Sequence, residues 1–471
     1  MKTPLFLLGI LAVSACAANG GDSNSGAGGT NSGAGGSGTQ TGGRLGSGGS
    51  VASGGSTASG GNSASGGASA SGGSTASGGN PASGGTGTAG KPGSGGATGS
   101  GGATGSGGAG GARDGGVADG GSCTDTCPAP KGGLTIGCKK RFLYGANFAW
   151  KNFSCDFGGK AAWGFKGVAA DKAAVTTAIQ EMKDNGVDVI RWWMFPNLTG
   201  DGIKLDNTTS RTPTGLGATV LDDVLAALDI AASLNVHIKL TLFSFDNFKP
   251  DSADAPSTGP IFTDATKRAA LIAKVVRPIA AAVEASPNKD RMIAWDAINE
   301  PEWAITTGTD PYGDPAFDGQ STLQTITFAQ METFVKDVVT ALHAESRAPV
   351  TVGSAAVKWA NAWSKVGVDY HDFHWYGWVD QYFAHTKTPT DYKVDDKPVV
   401  IGEFPFSPNA DTTGTSFGGI SYATFVTDVL NAGYAGAMGW SYSDATGAFN
   451  WAAAKSNVKA WADSHTCYTH F

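Results

Sequence analysis

The chain has 471 residues, with 33 lysines and arginines against 40 aspartates and glutamates, for a formal charge of −7. That balance, with no basic run longer than Lys139-Lys140-Arg141, argues against nucleic acid and strongly anionic polymers as partners. Many of its 72 glycines crowd into one N-terminal tract, so the bulk composition does not describe the fold of the remainder.

Residues 1–16 open with Lys2, continue through an apolar stretch from Pro4 to Val13, and end in small residues before Cys16. The stretch is too short to span a bilayer and reads as an export signal. Val13-Ser14-Ala15-Cys16 resembles the lipobox of bacterial lipoproteins. That resemblance implies cleavage before Cys16, lipidation of its thiol, and a cell-envelope or surface protein that touches the membrane through its lipid alone. Ordinary secretory cleavage is the alternative. Residues 17–121 then collapse to Gly, Ser, Ala and Thr in units such as ASGGSTASGG. Too little apolar surface exists there to offset the entropy of ordering the chain, so a flexible tether is expected. Its typical reach is on the order of 50 to 60 Å.

Residues 122–471 are the globular part, and from about Gly137 strands alternate with helices. Strands are predicted at Phe142–Asn147, Val187–Trp193, Val236–Phe243, Ile293–Asn299, Val350–Gly353, Tyr370–Trp375, Pro398–Glu403 and Ala435–Ser441. Eight such units predict a closed (β/α)8 barrel acting as a single monomeric domain, with an open doubly wound sheet as the competing architecture. Between the strands, Asp171 is placed to cap a helix whose Val175, Ile179 and Met182 share a face, and Asn185-Gly186 ends it. Leu221, Val224, Leu225, Leu228 and Ala232 repeat the pattern, as do Phe328, Met331, Val335, Val338 and Leu342, then Tyr422, Phe425, Val429 and Leu430.

Six cysteines in an exported chain suggest an oxidising compartment. If Cys16 carries lipid, Cys123, Cys127, Cys138, Cys155 and Cys467 remain, an odd set that leaves one thiol over. A barrel brings the start of the first strand near the end of the last helix, so a Cys138–Cys467 bridge is expected. Their spacings match no zinc site, and neither metal nor cofactor is expected.

The strand ends are unusually polar and aromatic. The second closes on Arg191-Trp192-Trp193, the fourth on Asn299-Glu300, the sixth on His374-Trp375-Tyr376, the seventh on Glu403 and the eighth on Trp440. Singly, each has a mundane reading as ion pair, satisfied histidine or packing residue. Together, at one mouth of a barrel, they read as a site. Two strand-end carboxyls are the minimum equipment for hydrolysing a glycosidic bond, one protonated to help the leaving oxygen and one ionised to attack. Arg191 and Tyr376 suit the ionised one, Asn299 a sugar 2-hydroxyl, and Trp440 the flat face of a ring. Trp150, Trp192, Trp303 and Trp378 are candidates to lengthen the cleft.

At these residues the chain resembles glycoside hydrolases of clan A, most closely the cellulase-like family 5. In that family Asn-Glu-Pro after the fourth strand carries the acid/base, His-x-Tyr follows the sixth, and a Glu ending the seventh is the nucleophile. An arginine follows the second strand and a tryptophan ends the eighth. The resemblance covers the globular part and implies Glu300 as acid/base and Glu403 as nucleophile, with Arg191, Asn299, His374, Tyr376 and Trp440 around them. It departs at the third strand, where many members carry a histidine and this chain has Phe243-Ser244-Phe245-Asp246-Asn247.

The leading expectation is therefore a secreted, membrane-tethered, retaining endo-β-glycanase acting on a neutral β-glucan or cellulose-like polysaccharide. A β-mannanase or an exo-β-glycosidase is the runner-up, and an inactive carbohydrate-binding lipoprotein is the reading from another class. A reactive lysine or a cluster of His and Asp ligands would have indicated a different barrel enzyme.

Overall fold

The computed structural model describes residues 127–469, apart from 137, 208, 253–254, 309–315, 378–382, 408–419 and 446. The export signal, Cys16 and the tether lie outside the described residues.

Eight parallel strands close into a barrel: β1 (Leu143–Ala149), β2 (Val189–Trp193), β3 (His237–Ser244), β4 (Met292–Asn299), β5 (Val350–Ser354), β6 (His371–His374), β7 (Val399–Pro405) and β8 (Gly436–Trp440). Each pairs with its neighbour in sequence, and β8 returns to β1 through Gly436↔Leu143 to Gly439↔Ala146. Closure excludes the open sheet. The strands are buried almost throughout, as expected where helices cover the outside of a parallel barrel.

The helices follow their apolar stripes. Lys172–Asp184 buries Val175, Ile179 and Met182 and ends where Gly186 takes a φ of 85°. Asp171 occupies its N-cap position, but its carboxylate is turned to Lys151 instead of the helix amides. Phe328–Glu345 starts with a capping box between Thr327 and Gln330 and buries Phe328, Met331, Val335, Val338 and Leu342. Tyr422–Ala432 starts on the Ser421 side chain and ends on Gly433 in the left-handed region. The Val220–Leu234 helix corrects one expectation. It turns Val220, Val224, Ala227, Leu228 and Ala231 inward, leaving Leu221 exposed.

A hairpin the sequence reading omits, Leu134–Ile136 paired with Lys139–Arg141, sits at the N-terminal end of the barrel. Leu134 and Ile136 pack against Leu143, Val189, Ile293, Tyr370, Val400 and Met438, sealing that end. The hairpin also explains why the expected Cys138–Cys467 bridge is wrong. Its turn holds Cys138, which is disulfide-bonded elsewhere, while Cys467 pairs with Cys127, Cα to Cα 5.2 Å. Cys155 keeps its thiol, buried in the loop after β1.

Candidate active site

The site forms at the C-terminal ends of the strands, where register decides which side chains meet. After Asn299, the last residue of β4, Glu300 takes a left-handed conformation with φ 47°. A non-glycine residue there costs about 1–2 kcal/mol. Its N–H donates to the carbonyl of Gly353 at 2.6 Å, and Pro301 opens a short 3-10 turn to Ala304. Glu302 secures that turn from below: its buried carboxylate accepts from Ser354 Oγ at 2.7 Å, the Ala355 amide at 3.0 Å and Trp363 Nε1 at 2.6 Å. The reversal brings Glu300 Oε1 to 2.7 Å from His374 Nδ1, and Oε2 accepts from Trp303 Nε1 at 2.9 Å. On β7, directly opposite His374 in the register, Glu403 Oε1 accepts from Arg191 Nη1 at 2.5 Å and Oε2 from the Tyr376 hydroxyl at 2.7 Å. His374 Nδ1 is 3.5 Å from Glu403 Oε2.

One oxygen of each carboxyl and a ring nitrogen of His374 all lie within 4.8 Å of one another. Inverting glycosidases need roughly 6.5–9.5 Å to admit a water between their carboxyls, whereas retaining ones bring them to about 5 Å. The separation here belongs to the retaining arrangement.

The two carboxyls sit in unequal surroundings. Burial pushes Glu300 well above the ordinary carboxyl range, and the nearby Glu403 charge adds to it. Burial also raises Glu403, to about 7, but Arg191 and the Tyr376 hydroxyl oppose the rise. The proton of the pair therefore belongs to Glu300. Burial, with Arg191 and Lys239 close by, holds His374 well below its ordinary value and hence neutral.

Beneath this pair lies a polar layer of which sequence reading found only Arg191 and Asn299. Arg191, fully buried, donates to Asp296 from Nε at 3.1 Å and Nη2 at 2.7 Å, to Asn147 Oδ1 at 3.0 Å and to Asn299 Oδ1 at 2.8 Å. Asn299 thus turns its side-chain oxygen to Arg191. Asp296 also accepts from Thr241 and the Gly353 amide, and Lys239 pairs with Asp372. The signal that would have found two of these residues is a charge in mid-strand: Lys239 and Asp296 each interrupt an otherwise largely apolar run, whereas Asp372 lies between two histidines in a short polar strand.

The aromatic wall is partly as expected. Trp150, Trp193 and Trp440 stand together with ring centroids 5.4–5.8 Å apart, and Phe153 packs on Trp150 at 4.9 Å. The peptide bond after Trp440 is cis. Trp192 is a correction: successive side chains on a strand face opposite ways. It points out of the barrel, packs on Phe148 and Phe157 and donates to Asp156, leaving the mouth to Trp193. Trp303 reaches the site through its bond to Glu300 and rests against Trp359. Trp378 and part of the loop from Glu302 to Gly319 lie outside the described residues.

The closed barrel and this carboxyl pair define a glycoside hydrolase. No family model matches the chain. It is similar to the mannan endo-1,4-β-mannosidase of Cryptopygus antarcticus, 24% identical over 345 residues covering 65% of this chain and 82% of that protein. It is also similar to the mannan endo-1,4-β-mannosidase of Mytilus edulis, 26% identical over 336 residues covering 64% and 84% respectively. Among solved structures, the β-1,4-mannanase of the sea hare Aplysia kurodai superposes with a TM-score of 0.57 at 22% identity, covering 71% of this chain and 96% of that one. These likenesses are consistent with a clan A glycoside hydrolase of family 5 or a close relative.

Proposed function

We propose that the protein is a retaining endo-β-1,4-mannanase. Glu403 attacks the anomeric carbon while Glu300 protonates the departing glycosidic oxygen, giving a covalent glycosyl-enzyme. Glu300, now ionised, takes a proton from water, whose oxygen displaces Glu403 and releases the sugar with its configuration retained. The observation that carries this reading is the convergence of the two carboxyls within 4.8 Å, one held by an arginine and a tyrosine and the other by a neutral histidine and a tryptophan. Mannan, the second choice from sequence, takes the lead over β-glucan because the two sequence relatives named above both act on mannan. Asn299 meets the 2-hydroxyl of the reacting sugar, and Trp440, Trp193 and Trp150 offer it flat faces.

The test is oligosaccharide release by the purified full-length protein from galactomannan, glucomannan, barley β-glucan and soluble cellulose, with Glu403→Ala beside it. Release from the mannans, absent in the variant, and a first product in the β-anomeric form by proton NMR are the expected results. Release from β-glucan alone would overturn the substrate, and an α-anomeric product the mechanism. We further infer that the chain is exported and held to a membrane through acylated Cys16. A Cys16→Ala variant is then expected to move from the membrane to the soluble fraction, and an unchanged partition would refute the anchor.

A further inference from the structure

The proposed mechanism makes no use of Lys239 and Asp372, yet these two charges sit inside the barrel on β3 and β6, paired with each other and with no exposed side-chain surface. A buried ion pair is seldom more stable than apolar residues of the same volume, so its presence asks for another reason. Asp372 gives Oδ2 to Lys239. Its Oδ1 has no hydrogen-bond partner among the described residues, and neither has Nε2 of His374. These two buried atoms are 4.0 Å apart. Glycines on the flanking strands make room for them. A Cβ on Gly402 would stand 2.1 Å from Asp372 Oδ1, and one on Gly353 would stand 3.0 Å from His374 Nε2.

Resting on the assignment of Glu300 as acid/base, we propose that Asp372, anchored by Lys239, is a positioning residue that holds His374 as its Nε2–H tautomer, so that Nδ1 accepts from Glu300 and keeps the proton there. A neutral imidazole carries one proton and has two places for it. With the proton on Nδ1, the ring would donate to Glu300 and favour its ionised form, and a bare Nε2 lone pair would face the Asp372 carboxylate in a buried space. With the proton on Nε2, the N–H dipole points at Asp372 and the Nδ1 lone pair meets Glu300 at 2.7 Å, a contact that is favourable only if Glu300 is the donor. After the first chemical step the same lone pair opposes the ionised Glu300, which makes it a better base toward water.

The charged and titratable groups around the ring are Arg191 from β2, Lys239 from β3, Asp296 and Glu300 from β4, and Glu403 from β7. Its own segment supplies Asp372, Tyr370 and Tyr376. Among the described residues only Asp372 brings a carboxylate oxygen within 4.0 Å of Nε2, while β5 offers no charged side chain. Burial, with the two cations beside it, keeps the ring neutral, and Asp372 decides where its proton sits.

The test is nitrogen-15 NMR of the histidine-labelled full-length protein, with His374→Gln to assign the signal. The expected result is a protonated Nε2 and a bare Nδ1, and a proton on Nδ1 overturns the proposal. In the double variant Lys239→Met/Asp372→Leu, which removes both charges together, the Nδ1–H form is expected to appear. The alkaline limb of kcat/KM on mannan then moves down by about one pH unit, and an aryl mannoside with a good leaving group is slowed less than the polymer. A folded double variant with an unmoved alkaline limb refutes it; if that variant does not fold, Asp372→Asn is read by the same NMR experiment, and an unchanged tautomer there refutes it. The NMR result does not depend on turnover. A protein inactive on every polymer would therefore sink the proposed function while leaving this inference to be decided on its own.

Discussion

The two ends of the barrel are built from the same eight strands and have opposite chemistry. At the N-terminal end Leu143, Val189, Ile293, Val400 and Met438 close on Leu134 and Ile136 of the hairpin, an apolar plug. At the C-terminal end the strand positions hold Arg191, Asp296, Asp372, His374 and Glu403, all buried. The plug contributes stability through area removed from water. The mouth withholds stability, because each buried polar group must find a partner and some do so imperfectly: among the described residues Asp372 Oδ1 and His374 Nε2 have no hydrogen-bond partner. One end is thus replaceable by any apolar residues of the right volume, and the other is replaceable by almost nothing.

Substitutions at each end should separate the two. The largest effect is expected from Glu403→Ala: kcat/KM on mannan falls by at least about 10⁴-fold with the unfolding transition intact, and ordinary activity would remove the nucleophile assignment. The isosteric Glu403→Gln sharpens this through pH. Burial raises Glu403 from 4.5 to about 7, so between those values the folded state binds more protons than the unfolded chain and the parent loses stability as pH rises. The glutamine variant is expected to lose less over that window in a denaturant titration, and an equal loss would count against a buried, raised carboxyl. Next comes Glu300→Gln. Hydrolysis of the polymer falls by about 10² to 10⁴-fold, formation of the glycosyl-enzyme from an aryl mannoside with a good leaving group falls much less, and the alkaline limb of its pH profile, which in the parent marks loss of the Glu300 proton, disappears. An alkaline limb that survives would mean another group is the acid.

At the opposite end, removing the Cys127–Cys467 bridge, which spans 340 residues, is expected to cost about 2–5 kcal/mol of stability with kcat/KM unchanged below the transition. Leu134→Ala should cost about 2–3 kcal/mol, again without touching turnover. A loss of activity in either folded variant would show that the two ends are coupled. The smallest effect returns to the mouth: Trp150→Ala is expected to raise KM about fivefold through a lost stacking face worth ~1 kcal/mol, with kcat held. An unchanged KM would take Trp150 out of the cleft.

The sequence by itself determined the alternation of strand and helix, because each of the eight apolar runs was long enough and cleanly enough bounded to be placed within a residue or two of β1 to β8. It also determined the catalytic candidates, since Glu300, His374, Tyr376 and Glu403 stand where polar residues follow apolar strands and the barrel mouth gathers them without further information. The tertiary structure alone decided which way neighbouring side chains face. In a strand buried on both sides the two faces are equally apolar, so nothing local distinguished Trp192 from Trp193, and on the Val220–Leu234 helix a small rotation of the stripe put Leu221 in solvent. The Lys239–Asp372 pair joins residues 133 positions apart, and the Cys127–Cys467 bridge depends on a three-residue-per-strand hairpin too short for any periodicity to announce. Contacts of that range are set by register and closure, which emerge only when all eight strands are in place.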